Sequence, residues 1–299
     1  MKKLLLLIPC ILLFILPLMF VKKSKIEQTV PEEDVCTIMI TVNGQKMPLD
    51  DYLIGVLAGE MPVSFHKEAL KAQAIAARTY ALKQTAYGVQ AIQATTAHQV
   101  FQPTEQRQEK WKEAFFTNES KLAQAVNETE NQIITYNGEL ITAMFHSSSL
   151  NTTESAKNYS GNTIPYLQSV SSPEQRPSEE VHFTFQQLNK LLNQNFTANT
   201  YKKMKLIKND NDRVAQVQIN ATKWTGRQFR ELLQLKSTNF VVKWSASGIT
   251  VTTYGYGHGV GMSQHGANTL AKSGQTAEQI LAHYYPNTTI ETTNYCSRY

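Results

Sequence analysis

DDYLIGVLAGEMPVSFHKEALKAQAIAARTYALKQTAY, residues 50–87, is the stretch from which the rest of the chain can be read. It opens with an apolar run, turns through Gly59-Glu60-Met61-Pro62, and then enters the longest helical pattern of the sequence. Proline suits the first turn of a helix and not its interior. The helix is therefore predicted to begin at Pro62 or to be capped by Ser64, and to run to about Tyr87 before Gly88 stops it. Alanines at 69, 72, 74, 76, 77 and 81 give high helix propensity and small contact surfaces, which predicts a central helix with closely packed neighbours. Lys71 and Arg78 are seven positions apart, close to two turns, and so project from one face, either as solvated charges or as a binding pair. Glu60 falls just outside this helix, on backbone stiffened by Gly59 and Pro62. Its setting predicts partial burial, which raises a carboxyl pKa toward what a general acid needs. A helix N-terminus aimed at it would act in the opposite direction.

Upstream, Leu4 to Val21 is an apolar run with lysines on both sides, just long enough to cross a bilayer. The residues before its end are too large for a signal-peptide cleavage site, so the expectation is an uncleaved anchor over residues 1–21 with the N-terminus in the cytoplasm. Residues 22–35 are charged and contain Pro31, as a tether would. The exported part, residues 36–299, carries Cys36 and Cys296 at its two ends, as a terminal disulfide staple or as two unpaired thiols. The net charge of +5 suits an anionic surface or polymer, and no dense basic patch argues for nucleic acid.

Downstream, the pattern is α+β with antiparallel strands. TIMITV at 37–42 reads as a strand closed by an Asn43-Gly44 turn. A helix is expected over 118–130, a hairpin around Asn137-Gly138, and a strand ending at His146. Residues 171–180 (SSPEQRPSEE) have the composition of an internal linker. A Thr184-capped helix, a strand over 214–219, a helix over 226–235 and a strand pair over 240–254 follow. Glycines then occupy every other position at 255, 257, 259 and 261, where bare backbone either packs tightly against another element or meets a ligand. Thr276 and Gln279 form a capping box for a last helix.

His146, His258 and His265 match no local zinc-ligand spacing, and the serines at 147–149 lack a nucleophile elbow. The blocks YLIGVLAGEMPVSFHKEALKAQAIAARTYAL, MFHSSS, NTIPYLQSVSSP, KWTGRQFRELLQLKSTNF and GYGHGVGMSQHGANTLAKSGQTAEQILAHYYPNTTI, in that order over residues 37–293, resemble the stage II sporulation protein D family. The resemblance implies a membrane-anchored lytic transglycosylase that cleaves peptide-stripped peptidoglycan glycan during engulfment of the forespore; some relatives bind zinc near the middle strand through cysteines and histidines, but no cysteine lies near His146 here, so no metal or cofactor is expected. It places the catalytic carboxyl on Glu60 and substrate contacts on Lys71, Gln73, Arg78, His146, Ser149, His258, Met262, Ser263 and Gln264. It implies a cell-wall amidase and other membrane proteins of the engulfment complex as partners, and the mother-cell membrane as location. A non-catalytic peptidoglycan-binding activator of an amidase is the alternative in the same resemblance. This chain departs from the family's usual His-Ser-Thr-Ser-Gly-Gly, having Leu150-Asn151 after His146-Ser147-Ser148-Ser149.

Overall fold

The computed structural model describes residues 37–95, 98–175 and 178–292. The expected anchor, the tether and the Cys36 and Cys296 thiols lie outside them, and among the described residues no helix is long and apolar enough to cross a membrane.

The chain enters through a hairpin, β1 (Met39–Val42) and β2 (Gln45–Pro48). Asn43 and Gly44 both adopt positive φ, as a two-residue hairpin turn requires. The apolar run that follows is a helix, α1 (Leu49–Glu60), and Glu60 is its last residue. The central helix α2 (Lys67–Gln84) is shorter than its sequence pattern at both ends. At its start Lys121 Nζ donates to the carbonyls of Val63 (2.7 Å) and Phe65 (2.9 Å), holding residues 62–65 as a loop, and His66 becomes the cap. At its end Ala86 and Tyr87 have already turned to positive φ before Gly88.

The remaining elements are α3 (Thr104–Trp111), α4 (Phe115–Asn127), β3 (Gln132–Tyr136), β4 (Glu139–Leu140), β5 (Phe145–His146), β6 (Asn151–Thr152), α5 (Ala156–Ser160) and β7 (Ser171–Ser172). They continue with β8 (Glu179–Thr184), α6 (Phe185–Leu192), α7 (Ala198–Tyr201), β9 (Lys205–Lys208), β10 (Val214–Ile219), β11 (Thr222–Thr225), α8 (Gly226–Leu232), β12 (Phe240–Trp244) and β13 (Gly248–Thr253). The chain closes with β14 (Met262–Ser263), α9 (Gln264–Lys272), α10 (Ala277–Tyr284) and β15 (Thr289–Thr292). Capping boxes at Thr184, Thr225 and Thr276 start α6, α8 and α10.

The architecture is α+β with small sheets, antiparallel except for the two-residue pairing of β14 with β5. Two apolar cores organise it. The larger gathers α1, α2, α4, α9, α10 and β3 around α2, whose alanines at 69, 72, 74, 76, 77 and 81 are buried. The smaller draws on residues from Phe183 to Val251, with sheets β11-β10-β9 and β12-β13-β8 packed on α6 and α8. Residues 171–180 do mark the passage from one core to the other, but they are not a free linker. Ser172 and Glu174 are buried there, and β8 begins at Glu179.

Candidate active site around Glu60

Glu60 is held from three directions. The end of α1 carries it, the backbone N–H of Val100 donates to its Oε1 (2.7 Å), and Gln264 Nε2 donates to its Oε2 (3.3 Å). Gly59 lets the segment around Val100 approach, since a Cβ there would lie 2.8 Å from the Val100 carbonyl oxygen. Burial raises the Glu60 pKa, and the two hydrogen bonds pull it back in part. The position on α1 works with burial, because the carbonyl end of a helix disfavours negative charge. The balance left open by the sequence therefore resolves toward a carboxyl that keeps its proton more readily than an exposed one. No second carboxylate is among the groups that shift it.

Gln264 is delivered by the glycine stretch. Gly255, Gly257, Gly259 and Gly261 all have positive φ and lie against backbone or side chains of other segments. At Gly261 an added Cβ would be 2.0 Å from the Met144 carbonyl oxygen, so only glycine lets β14 pair beside β5. Ser263 then caps α9 by accepting from the Gly266 N–H (3.1 Å), and Gln264 is the first residue of that helix.

A buried acid locks this junction. Glu174 Oε1 accepts from the Ser149 N–H (2.6 Å) and from the Ser263 hydroxyl, and its Oε2 accepts from the Ser172 hydroxyl (2.6 Å). His146 is buried beside it. The Val260 carbonyl can only accept, so Nδ1 of His146 carries the proton toward it (3.2 Å) and Nε2 accepts from the Ser149 hydroxyl (2.7 Å). Arg213 Nη2 also donates to Ser149 Oγ (3.1 Å). Burial, then His258, then Arg213 hold His146 well below its usual range, so it is neutral. His258, only partly buried, accepts from the Val260 N–H at Nδ1 (3.0 Å) and is pushed down to about 4, first by desolvation. Among the described residues no three His, Cys, Asp or Glu side chains are placed to hold a metal.

The structure thus brings Gln264 to Glu60 and sets Ser263, Ser149 and His146 behind it as a buried support, with Met262 wholly within the core. Lys71 and Arg78 do share a face of α2, but that face meets the end of α4 and not an open groove. Lys71 pairs with Glu68 (3.3 Å) and Glu128 (3.7 Å). Arg78 is fully buried and donates to the carbonyls of Thr129 (2.7 Å) and Val126 (3.1 Å), which closes the C-terminal end of α4. Gln73 is also fully buried, and neither of its amide atoms has a hydrogen-bond partner. Sequence reading missed Val100, Glu174 and Arg213, none of which sits in a recognisable local pattern.

A family model described as stage II sporulation protein matches residues 40–136. The chain is 38% identical over 267 residues to stage II sporulation protein D of Bacillus subtilis (strain 168), covering 82% of this chain and 75% of that protein. It is 36% identical over 267 residues to the protein of the same name from Bacillus amyloliquefaciens, covering 85% and 78%. It is also 28% identical over 299 residues to the amidase enhancer of Bacillus subtilis (strain 168), covering 80% of this chain but 40% of that protein.

Proposed function

Because the chain belongs to the stage II sporulation protein D family, we propose that it is a membrane-anchored lytic transglycosylase that cuts peptide-stripped glycan strands to 1,6-anhydromuramic ends during engulfment. The observation that carries the reading is Glu60: a half-buried carboxyl with a raised pKa, hydrogen-bonded by Val100 and Gln264, with no carboxylate partner among the groups that shift it. Hydrolytic glycosidases ordinarily use two carboxyl groups, the second to activate water or to attack the sugar. A single acid suffices when the substrate supplies its own nucleophile. Glu60 gives its proton to the glycosidic oxygen as the bond from that oxygen to the anomeric carbon of the muramic residue breaks. The 6-hydroxyl oxygen of the same residue then bonds to that carbon, and its proton passes to the Glu60 carboxylate, which restores the acid without water. Gln264 supports the carboxylate between the two transfers, and the network behind it is a positioning device. Lys71, Gln73 and Arg78 act on this reading through the placement of α2 and not by touching the glycan. The catalytic part lies outside the membrane of the mother cell, and a cell-wall amidase that removes stem peptides supplies its substrate.

The test is incubation of the full-length chain in detergent with peptide-free glycan, followed by product analysis. Anhydro ends, lost in Glu60→Gln by about a thousandfold or more while the thermal unfolding profile is kept, are the expected result. Reducing ends mean a hydrolase. The likeness to an amidase enhancer favours a second reading, a peptidoglycan-binding activator, which wild-type chain that binds glycan without cutting it would select.

A further inference from the structure

The segment that carries the Val100 amide is itself clamped onto α1. Tyr52, Gly55 and Gly59 follow one another at spacings of three and four, so they share one face of that helix. Residues 99–102 run along this face. The Phe101 ring stacks on Tyr52, with centroids 5.5 Å apart and planes 12° from parallel. It also fills the space over Gly55, where an added Cβ would lie 2.3 Å from the ring. The Gln102 N–H donates to the Gly55 carbonyl (3.0 Å). Shape and apolar contact therefore hold the segment on the helix.

Gln99 adds what packing alone does not. It is fully buried, immediately before Val100. Its Nε2 donates to the Ala77 carbonyl of α2 (3.3 Å), and because that carbonyl can only accept, the amide oxygen is left to face Tyr52. The Tyr52 hydroxyl donates to it (3.0 Å). Tyr52 is fully buried as well, and burial above all raises its pKa, so the hydroxyl keeps its proton. Apolar side chains of the same shape would serve stability about as well as this pair. What the pair fixes is register, since sliding the segment by one residue, about 3.3 Å, would strand a buried amide and a buried phenol together. The register so fixed puts the Val100 N–H 2.7 Å from Glu60 Oε1.

We propose that Tyr52 and Gln99 are positioning residues for Glu60: the hydrogen-bonded line from the Ala77 carbonyl through Gln99 to Tyr52 sets the Val100 N–H against the acid. The inference rests on Glu60 as the acid of the proposed reaction, and it gives α2 a route to that acid through Ala77. The titratable groups on the elements packed here are Tyr80 on α2, Lys110 on α3, His98 just before the segment and His265 on α9. Lys110 donates to the Ala58 carbonyl (3.1 Å) and Gln102 Oε1 (3.1 Å), His98 accepts from the Gln93 N–H (3.2 Å), and His265 meets Phe65 edge-on. What shifts Glu60 is burial, then the Val100 N–H, then the Gln264 amide.

The experiment follows the acid itself and not turnover, so failure of this inference and failure of the cleavage reading are told apart. The full-length chain in detergent is labelled with carbon-13 at its glutamate carboxyls, and the Glu60 resonance is assigned by its loss in Glu60→Gln. Its titration is then compared in Gln99→Met and Tyr52→Phe, which conserve volume and leave a ring to stack on Phe101 while removing links of the line. The Val100 N–H favours the charged carboxylate, so slackening it raises the Glu60 midpoint, by about one pH unit in Gln99→Met and about half a unit in Tyr52→Phe, where the Ala77 bond remains. Ser237→Ala removes a buried hydroxyl that donates to the Tyr254 carbonyl, far along the chain from this segment, and is expected to leave the midpoint unchanged. An unchanged midpoint in either Gln99→Met or Tyr52→Phe overturns the proposal. So does a fall, which would mean that the segment only shields the acid from water. A rise in Ser237→Ala equal to that in Gln99→Met also overturns it, because any loosening of the fold would then have the same effect.

Discussion

Replacing Glu174 tests whether the buried junction behind Gln264 is built as described. In Glu174→Ala the Ser149 N–H loses its acceptor, and the Ser263 and Ser172 hydroxyls lose theirs. The Ser172 hydroxyl has a fallback, since Tyr284 O–H lies 2.9 Å away. Among the described residues the amide of Ser149 has no acceptor besides Glu174, and a stranded buried donor costs about 1 to 3 kcal/mol. Losing a hydrogen bond to a charged acceptor costs about 1.5 to 3 kcal/mol, offset in part by relief of a buried charge. The expected loss is about 3 to 4 kcal/mol, or roughly 10 °C in the unfolding midpoint for a domain of this size. Glu174→Gln is expected to cost only about 1 kcal/mol. Its carbonyl oxygen still accepts from Ser149 and Ser263, and its amide can donate to Ser172 once that hydroxyl turns to Tyr284. Urea unfolding followed by circular dichroism gives both values. The reasoning fails if alanine costs less than about 1 kcal/mol, or if the two variants are equally destabilised.

Three further outcomes are expected. Gln264→Ala removes a hydrogen bond that favours charged Glu60, so its pKa moves further up, and the alkaline fall in glycan cleavage, where the acid form is lost, shifts to higher pH; a pH–rate profile that moves the other way contradicts the geometry. His258 is ordinarily near 6.5 and is depressed to about 4 in the fold, so the neutral form stabilises the protein above about pH 6.5 and that stability, about 3 kcal/mol, is lost as pH falls toward 4. His258→Asn should flatten the pH dependence of the urea midpoint over that window, and an unchanged slope would count against it. Gly261→Ala combines a φ of +70° with a Cβ 2.0 Å from a carbonyl oxygen that already accepts from Met262 N–H and Tyr285 O–H, and should lower stability by about 3 kcal/mol or more in the same assay.

What the sequence shows plainly is what short-range chemistry determines. The Asn43-Gly44 turn, the capping residues Thr184 and Thr276, the alanine-rich α2 and the strand at 214–219 each depend on neighbours within a few positions. α3 escaped because TEQRQEKW has no apolar face; its one buried residue is Arg107, held by Glu119 and the Gln102 carbonyl. Glu174 escaped for a related reason. It sits in a polar, proline-containing stretch that reads as linker, and its partners Ser149 and Ser263 are 25 and 89 positions away. The aligned pair Lys71 and Arg78 illustrates the same limit. Helical spacing correctly places both on one face, yet only the packing of α4 shows that the face is filled by Glu128, Thr129 and Val126. Glu60 was legible as a stiffly held acid because glycine and proline act locally, whereas the residues that tune it, Val100 and Gln264, are 40 and 204 positions distant.

That tuning bears on why one acid can do both halves of the proposed reaction. A carboxyl that must first give a proton and then take one back needs neither form to be strongly favoured. Burial and the carbonyl end of α1 favour the protonated form, while the Val100 N–H and the Gln264 amide favour the charged one. If burial acted alone, the acid would hold its proton too firmly to donate it; if the hydrogen bonds acted alone, little acid form would be present near neutral pH. The two donors also differ in how they are anchored. Val100 N–H belongs to backbone packed on Gly59, whereas Gln264 is a side chain at the first position of α9, set by the Ser263 cap and, through it, by Glu174. The charged state of Glu60 is therefore supported from the far end of the chain. A change at Glu174 that leaves the fold intact should alter the pH profile of cleavage before it alters glycan binding.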